Sequence, residues 1–337
     1  MKFGRMFTLG AVAAMLVGSG FVATANADAV ADFYKGKKIN FFIGAGVGGG
    51  NDTTARSFAR YYEKHIPGNP KIISRNYPGA GGIRAVIAIY NKGAKDGTAI
   101  GTSALGPVTE PLLRDRDFKY DLLKMNWIGS LKDDVQGCFV MANSPIKTIQ
   151  DAMEKTVTIA STGANSNGTK VPLLLNAAIG TLFKPIIGYG GPGGAVLAIE
   201  QGETMGRCTG YTALKSMKPQ WISQKKVRFL IQVSTRKLPA MKGVPWVMDM
   251  IKDEKDRQLV EFISGPFAMT TAISMPPGVP KARVEAMRRA FQATIKDPAY
   301  LAESKKLYID ISPKTGAEVL AILKKVYATP KSVIKRA

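Results

Sequence analysis

The sequence predicts an α/β protein built as two layered units, and three observations carry that reading. Short apolar runs alternate with helical patterns along most of the chain, as they do where strands and helices pack in layers. Four of the strand-to-helix junctions carry loops of glycine or small polar residues. The length, 337 residues of which 45% are hydrophobic, suits two cores rather than one.

The elements follow in order. Residues 39–43 read as a first strand and 53–66 as a helix, with Ala55, Phe58, Ala59, Tyr62 and Ile66 on one face. A short strand at 71–74, a helix at about 82–90 and a strand at 99–102 come next. Residues 127–131 open a different stretch. Strands are expected at 138–142, 157–160, 186–187, 207–211 and 227–233, with helices at about 168–180 and 192–201 between them. A further strand is expected at 267–270. Pro280 suits the first turn of a helix carrying Val284, Met287, Phe291 and Ile295 inward. The last helix, about 315–327, shows Val319, Ile322, Leu323 and Val326 at helical spacing.

The first residues read as an export leader. Lys2 and Arg5 precede an uncharged stretch from Met6 to Val22, and Ala25 and Ala27 place small residues where a signal peptidase cuts. Cleavage is expected after about Ala27. A membrane anchor is disfavoured, because Gly10, Gly18, Ser19 and Gly20 interrupt the apolar run and no charged cluster follows it. No later run approaches the roughly 20 apolar residues needed to span a bilayer.

The chain is basic, with 47 Lys and Arg against 25 Asp and Glu and a net charge of +22. The cations are dispersed, with no aromatic-interleaved basic stretch of the kind nucleic-acid binders use, so no nucleic-acid partner is expected. A general field favouring anions and an ordinary solubilising surface both fit. Cys138 and Cys208 are too few and too far apart for a metal cluster, and their spacing leaves pairing open. The one histidine, His65, reads as a surface residue at a helix end and has no nucleophile motif nearby. No metal site, cofactor or catalytic residue is expected, and the chain is read as no enzyme.

The informative loops sit where strands meet helices. In residues 44–56 the first strand runs through Gly48, Gly49 and Gly50, with Asn51 or Asp52 placed to cap the following helix. First-turn N–H groups and the helix dipole would there hold a carboxylate or phosphate. Gly44, Gly46 and Gly49 also match the dinucleotide pattern G-x-G-x-x-G. The acid that should follow the second strand to bind a ribose is missing from 71–77, which argues against that use. Similar loops are PGAGG at 78–82, STGANSNGTK at 161–170 and GYGGPGG at 188–194. In open α/β sheets ligands sit beyond the carboxyl ends of strands, at such junctions. A single glycine loop is equally well a tight turn.

These loops carry a resemblance. FYKGKKI at 33–39, GGGNDTTAR at 48–56, HIPGNP at 65–70, PGAGG at 78–82 and KDGT at 95–98 occur in order. GYGG at 188–191, GE at 202–203, GRC at 206–208, VP at 244–245, PPGVP at 276–280 and KDP at 296–298 follow them. Together they resemble the Bug-type periplasmic receptors of tripartite tricarboxylate transporters over nearly the whole chain after the leader. The resemblance implies a type II periplasmic-binding fold, two α/β lobes joined by a two-strand hinge. One lobe would span 28–131 plus about 234–337, the other 132–233. It implies a carboxylate held in the interlobe cleft by Gly48, Gly49, Gly50, Asn51 and Asp52, by Ser103, Ala104 and Gly106, by Ser161, Thr162, Asn165, Ser166 and Asn167, and by Tyr189, Gly190 and Gly191. Asn51 and the Asn165–Asn167 stretch depart from the commoner pattern. Lys170, Arg84 and Arg207 are candidate helpers or surface charges, and Tyr189, Tyr211 and Trp221 either line a pocket or belong to the core. The partners implied are a small organic anion and membrane permease subunits. A periplasmic enzyme on this fold and a basic surface-binding protein are the rival readings.

Overall fold

The computed structural model describes residues 29–103 and 106–337. The expected leader, its cleavage point after Ala27, and Ala104 lie outside the described residues. Among the described residues, eleven strands form two sheets. They are β1 (Lys38–Ile43), β2 (Lys71–Asn76), β3 (Ala99–Ser103), β4 (Asn126–Lys132), β5 (Gln136–Met141), β6 (Val157–Ser161), β7 (Phe183–Ile187), β8 (Gly206–Gly210), β9 (Val227–Val233), β10 (Thr270–Met275) and β11 (Lys314–Thr315). The first sheet runs β11-β4-β10-β3-β1-β2 and the second β7-β6-β8-β5-β9.

Strand direction decides where a ligand can sit. β1 is parallel to β2 and β3, and β10 runs antiparallel to both β3 and β4. The carboxyl ends of β1, β2, β3 and β4 therefore share one edge, where β10 begins. In the second sheet β6 is parallel to β7 and β8, while β5 is antiparallel to β8 and β9. There the carboxyl ends of β6, β7, β8 and β9 share the edge at which β5 begins. The chain leaves the first sheet at Lys132 and enters the second at Gln136, so those two edges face each other across a short crossing.

The return crossing comes later than the expected 234. Val247, Met248, Ile251, Leu259, Val260 and Phe267 are buried in the core of the second sheet, beside Val171, Leu174 and Leu175 of the helix Asn167–Ile179. The chain crosses back just before β10, where Asp134 N–H donates to the Phe267 carbonyl at 2.8 Å. The strand expected at 267–270 starts at Thr270 instead, because Gly265–Met269, with Pro266 in its first turn, forms a 3₁₀ turn. The two crossings thus lie side by side. Asp133 anchors the first of them, accepting from Arg236 Nε and Nη2 at 2.7 and 2.6 Å and from Ser312 Oγ at 2.7 Å.

Each sheet is covered on both faces. One face of the first carries the helices Gly50–His65, Lys281–Thr294 and Pro298–Lys306, where Phe58 stacks on Tyr62 (4.6 Å between centroids) and approaches Phe291 and Tyr300. The spacing read as one apolar face of the first helix is the face that is buried. Trp221 and Tyr211 are core residues: Trp221 meets Phe139 edge-on and Tyr211 packs beside Phe229. His65 closes its helix against Asp297, Nε2 to Oδ2 2.9 Å. No helix among the described residues is long and apolar enough to cross a membrane.

Cys138 and Cys208 are direct partners across the antiparallel pair β5–β8 and form a disulfide. Their separation of 70 residues explains why spacing alone left pairing open. Closing so long a loop restricts the unfolded chain. Replacing both cysteines by alanine should lower stability by about 2–4 kcal/mol, read as a lower urea midpoint with a steeper slope, since the unbridged unfolded chain exposes more surface.

Candidate functional site

The helices that follow β1, β3, β6 and β7 start on the facing edges, and a helix start leaves its first amides without an intrahelical carbonyl partner. After β1 the loop turns at Gly48, whose φ of 76° suits glycine. Gly49 is the N-cap, and the first helical bond runs from Thr53 N–H to the Gly49 carbonyl at 2.9 Å. The amides of Gly50, Asn51 and Asp52 precede that bond and point out of the helix end.

Asp52 does a different job from the one expected. Its side chain is buried beneath the loop, accepting from Gly48 N–H at 2.9 Å, Arg56 Nε at 2.9 Å and Asn76 Nδ2 at 2.8 Å. Arg56 and Asn76 are themselves bonded at 2.6 Å. Burial alone would raise the Asp52 carboxyl, but the bonds from Asn76, Gly48 and Arg56 outweigh it and hold the group below its ordinary value. The carboxylate therefore shapes the loop and uses up the Gly48 amide. What it leaves for a ligand is the backbone of residues 50–52. Asn51 Oδ1 accepts from Thr271 Oγ1 at 3.3 Å.

The second lobe answers with the loop after β6. Ser161 is fully buried. Its hydroxyl meets Ser166 Oγ at 2.8 Å and Thr169 Oγ1 at 2.6 Å, and both partners donate to the Gly163 carbonyl at 2.8 and 2.9 Å. These hydroxyls close on one another and fix the loop rather than face outward. Ser166 is the N-cap, and the amides of Asn167 and Gly168 open the helix Asn167–Ile179. Thr162 lies half-buried on the same loop. Asn165 is turned to the other lobe, its Oδ1 accepting from Arg114 Nη2 at 3.3 Å.

Two further ends complete the edges. Gly188 and Gly191 have φ of 121° and 149°, and no atom lies within 4 Å of where a Cβ on Gly188, Gly190 or Gly191 would stand. That loop therefore borders open space, with Tyr189 donating to Glu203 Oε2 at 3.1 Å and the helix Pro192–Glu200 beginning behind it. In the first lobe, Ser103 ends β3 and Gly106 opens the helix Gly106–Leu113. A Cβ on Gly106 would come within 2.7 Å of the Gly81 carbonyl, so the 79–82 loop packs directly on this start.

The candidate cations separate. Arg84 lies exposed along Gly79. Lys170 is taken: its Nζ pairs with Glu110 Oε1 at 2.7 Å, across the lobes, while Arg114 Nε holds Glu110 Oε2 at 2.6 Å. Burial opposes charge on Glu110, yet the bonds from Lys170 and Arg114 prevail and keep its carboxyl below the ordinary value. A second pair, Lys215 with Asp310 at 3.6 Å, also spans the lobes. Arg207 is buried and carries no acidic partner among the described residues. Thr271 escaped the sequence reading. It is buried, has φ of 57°, a conformation rare for a β-branched residue, and no residue pattern signals that.

Surface concavities lined by Arg56, Arg60 and Glu63 or by Ile128, Arg288 and Thr315 touch none of the expected ligand residues. No cluster of metal-binding side chains occurs among the described residues. Open, glycine-edged helix ends on facing sheets define a two-lobed solute-binding protein. Residues 55–336 match the tripartite tricarboxylate transporter family receptor, and the chain belongs to that family. Among solved structures it is similar to the periplasmic binding protein BugD, at 20% identity, covering 90% of this chain and 98% of that one with a TM-score of 0.68. It is similar to MatC from Rhodopseudomonas palustris with bound malate, at 16% identity, 88% and 99% coverage and a TM-score of 0.67. A further Rhodopseudomonas palustris protein, solved with adipate, matches at 15% identity, 89% and 96% coverage and a TM-score of 0.67. No curated protein sequence matches the chain.

Two predictions follow from this geometry. Ser161→Ala removes the buried hydroxyl that joins Ser166 and Thr169, which keep their bonds to the Gly163 carbonyl, and should cost about 0.5–1.5 kcal/mol in chemical unfolding. Glu110→Gln should loosen the contact between lobes, read as a longer distance between spin labels placed one on each. A carboxyl held low in the folded state stabilises above its unfolded value. The same lengthening should therefore appear in the unmutated protein as pH falls below the usual carboxylate range, through the depressed value of Glu110.

Proposed function

We propose that this protein captures a small organic anion, a carboxylate, in the cleft between its lobes and presents it to the membrane subunits of a tripartite transporter. The lobes we assign are 28–131 with the return segment, and 132–233 with the helices that pack behind it. The observation that carries the reading is the set of helix-end amides that precede the first helical bond on two facing sheet edges: residues 50–52 in the first lobe, 167–168 and 193–194 in the second. Backbone amides and helix dipoles neutralise a carboxylate without an arginine in the first lobe. Similar folds solved with malate and adipate support a carboxylate. A ligand touching both lobes favours the closed form, and closure is what a permease would read. The leader-like first residues and the family support a site of action outside the cytoplasm, in the periplasm. The reading assigns no catalytic step, no cofactor and no nucleic-acid partner.

The test is a thermal-shift screen of the protein from Asp28 onward, unfolded and refolded to strip bound ligand, against aliphatic and aromatic carboxylates. A true ligand at a hundredfold excess over its dissociation constant should add about 2.7 kcal/mol of stability. No shift with any acid would remove the receptor reading. Gly49→Asp locates the site. Gly49 has ordinary φ, and its new Cβ would meet only the Gly46 carbonyl at 3.5 Å. The variant should therefore fold and gain a capping carboxylate, yet lose at least tenfold in anion affinity by calorimetry. Unchanged affinity would place the ligand elsewhere.

A further inference from the structure

Arg207 is the one candidate cation that the fold buries without pairing. It stands on β8 between Gly206 and Cys208. Cys208 is turned into the core beneath the helix Asn167–Ile179, so strand alternation turns Arg207 to the opposite face. There its cross-strand partner is Phe139, which lies in a cluster with Ala160, Ala195, Val196 and Trp221. Arg207 is 8% exposed. Nη1 donates to the Pro192 carbonyl at 3.2 Å, and the buried Nε has no partner. Loss of hydration pushes the guanidinium down to about 10, with no acid nearby to offset it. It nevertheless keeps its charge at neutral pH.

An unpaired buried cation is costly, and the usual remedies are absent here. Its one bond reaches the first residue of the helix Pro192–Glu200, directly behind Gly190 and Gly191, which border open space. The amides of Gly193 and Gly194 start the same helix. A fork of N–H donors, a helix end and a glycine-edged opening thus meet at one place in the second lobe. That place is separate from the helix end at Gly50–Asp52.

We propose that Arg207 is the specificity residue for a second anionic group, so that the cleft takes a diacid with one carboxylate on the first-lobe amides and the other on Arg207. This inference rests on the receptor reading above. It predicts discrimination: a diacid binds well and the same molecule with one carboxylate converted to an amide binds poorly. A buried donor set left unpaired penalises the neutral analogue.

The experiment compares a series of straight-chain diacids with their half-amides by calorimetry, on the wild type, Arg207→Met and Arg207→Lys. The wild type should prefer the best diacid at least tenfold over its half-amide. Arg207→Met should bring that ratio to about one with half-amide affinity unchanged, and Arg207→Lys should restore part of it. A ratio that persists in Arg207→Met, or a wild type that prefers the half-amide, overturns the assignment while leaving the carboxylate receptor standing. Failure of the wild type to bind any acid removes the receptor reading instead. In that case ligand-free unfolding still decides on Arg207. A residue held for a missing anion should give a higher melting temperature as Arg207→Met, whereas a lower one makes it a structural prop for the helix at Pro192 and overturns the proposal.

Discussion

The cleft depends on the backbone hydrogen bond from Asp134 to Phe267. It joins the two crossings between the lobes, and it fixes which sheet edges face each other. The Asp134 side chain is buried against Gly210, where a Cβ would run into its carboxylate, and Gln136 Nε2 donates to it at 3.0 Å. Burial pushes this carboxyl above its ordinary range, and burial pushes the nearby Lys132 ammonium below its own. Such buried opposite charges rarely add stability over a well-packed apolar pair, but each makes the loss of the other expensive. The joint thereby keeps the two crossings together, while the lobes beyond it touch through side-chain pairs such as Lys170 with Glu110 and Lys215 with Asp310.

That joint gives the proposed site helix-end amides in the first lobe, where the proposal calls for no cation. Because the crossing brings carboxyl edges together, the helices that follow β1, β3, β6 and β7 present their positive ends to the facing edges. The negative charge at the Gly50 end is Asp52, and it is compensated in place by Arg56 and Asn76. The field felt in front of Gly50 is then set by amides rather than by the carboxylate beneath them. Across the cleft, the hydroxyl triad of Ser161, Ser166 and Thr169 contributes rigidity instead of charge, leaving Asn167 and Gly168 in position.

Much of the layering was legible from periodicity. The strands at 157–160 and 227–233 and the helices at 192–201 and 315–327 came within a residue or two, because apolar spacing directly records which face is buried. The glycine loops were legible too, since a φ of 76° at Gly48 or 149° at Gly191 is written into the residue type. The return crossing was not. Residues 247–267 carry ordinary amphipathic patterns, and a helix pattern shows that a face is buried without saying against which sheet. Side-chain roles at the loops were hidden for a related reason. Asp52, Ser161, Asn165 and Lys170 look like ligand groups by type, and only tertiary neighbours such as Asn76, Thr169, Arg114 and Glu110 reveal that they are already engaged.

What stays unsatisfied after that accounting is more telling than what is satisfied. Thr271 holds a left-handed backbone at the start of β10, a cost of order 1–3 kcal/mol for a β-branched residue, and spends its hydroxyl on Asn51 beside the first-lobe amides. Arg207 keeps a charge in an apolar cluster with a donor left over. A chain selected for stability alone would relax both, with glycine at 271 and an apolar side chain at 207. They lie one in each lobe, the first beside Asn51 at the Gly50 helix end and the second at the Pro192 helix end. On the proposal above, the folded state that Arg207 penalises is the empty one, and a diacid in the cleft supplies the missing counter-ion.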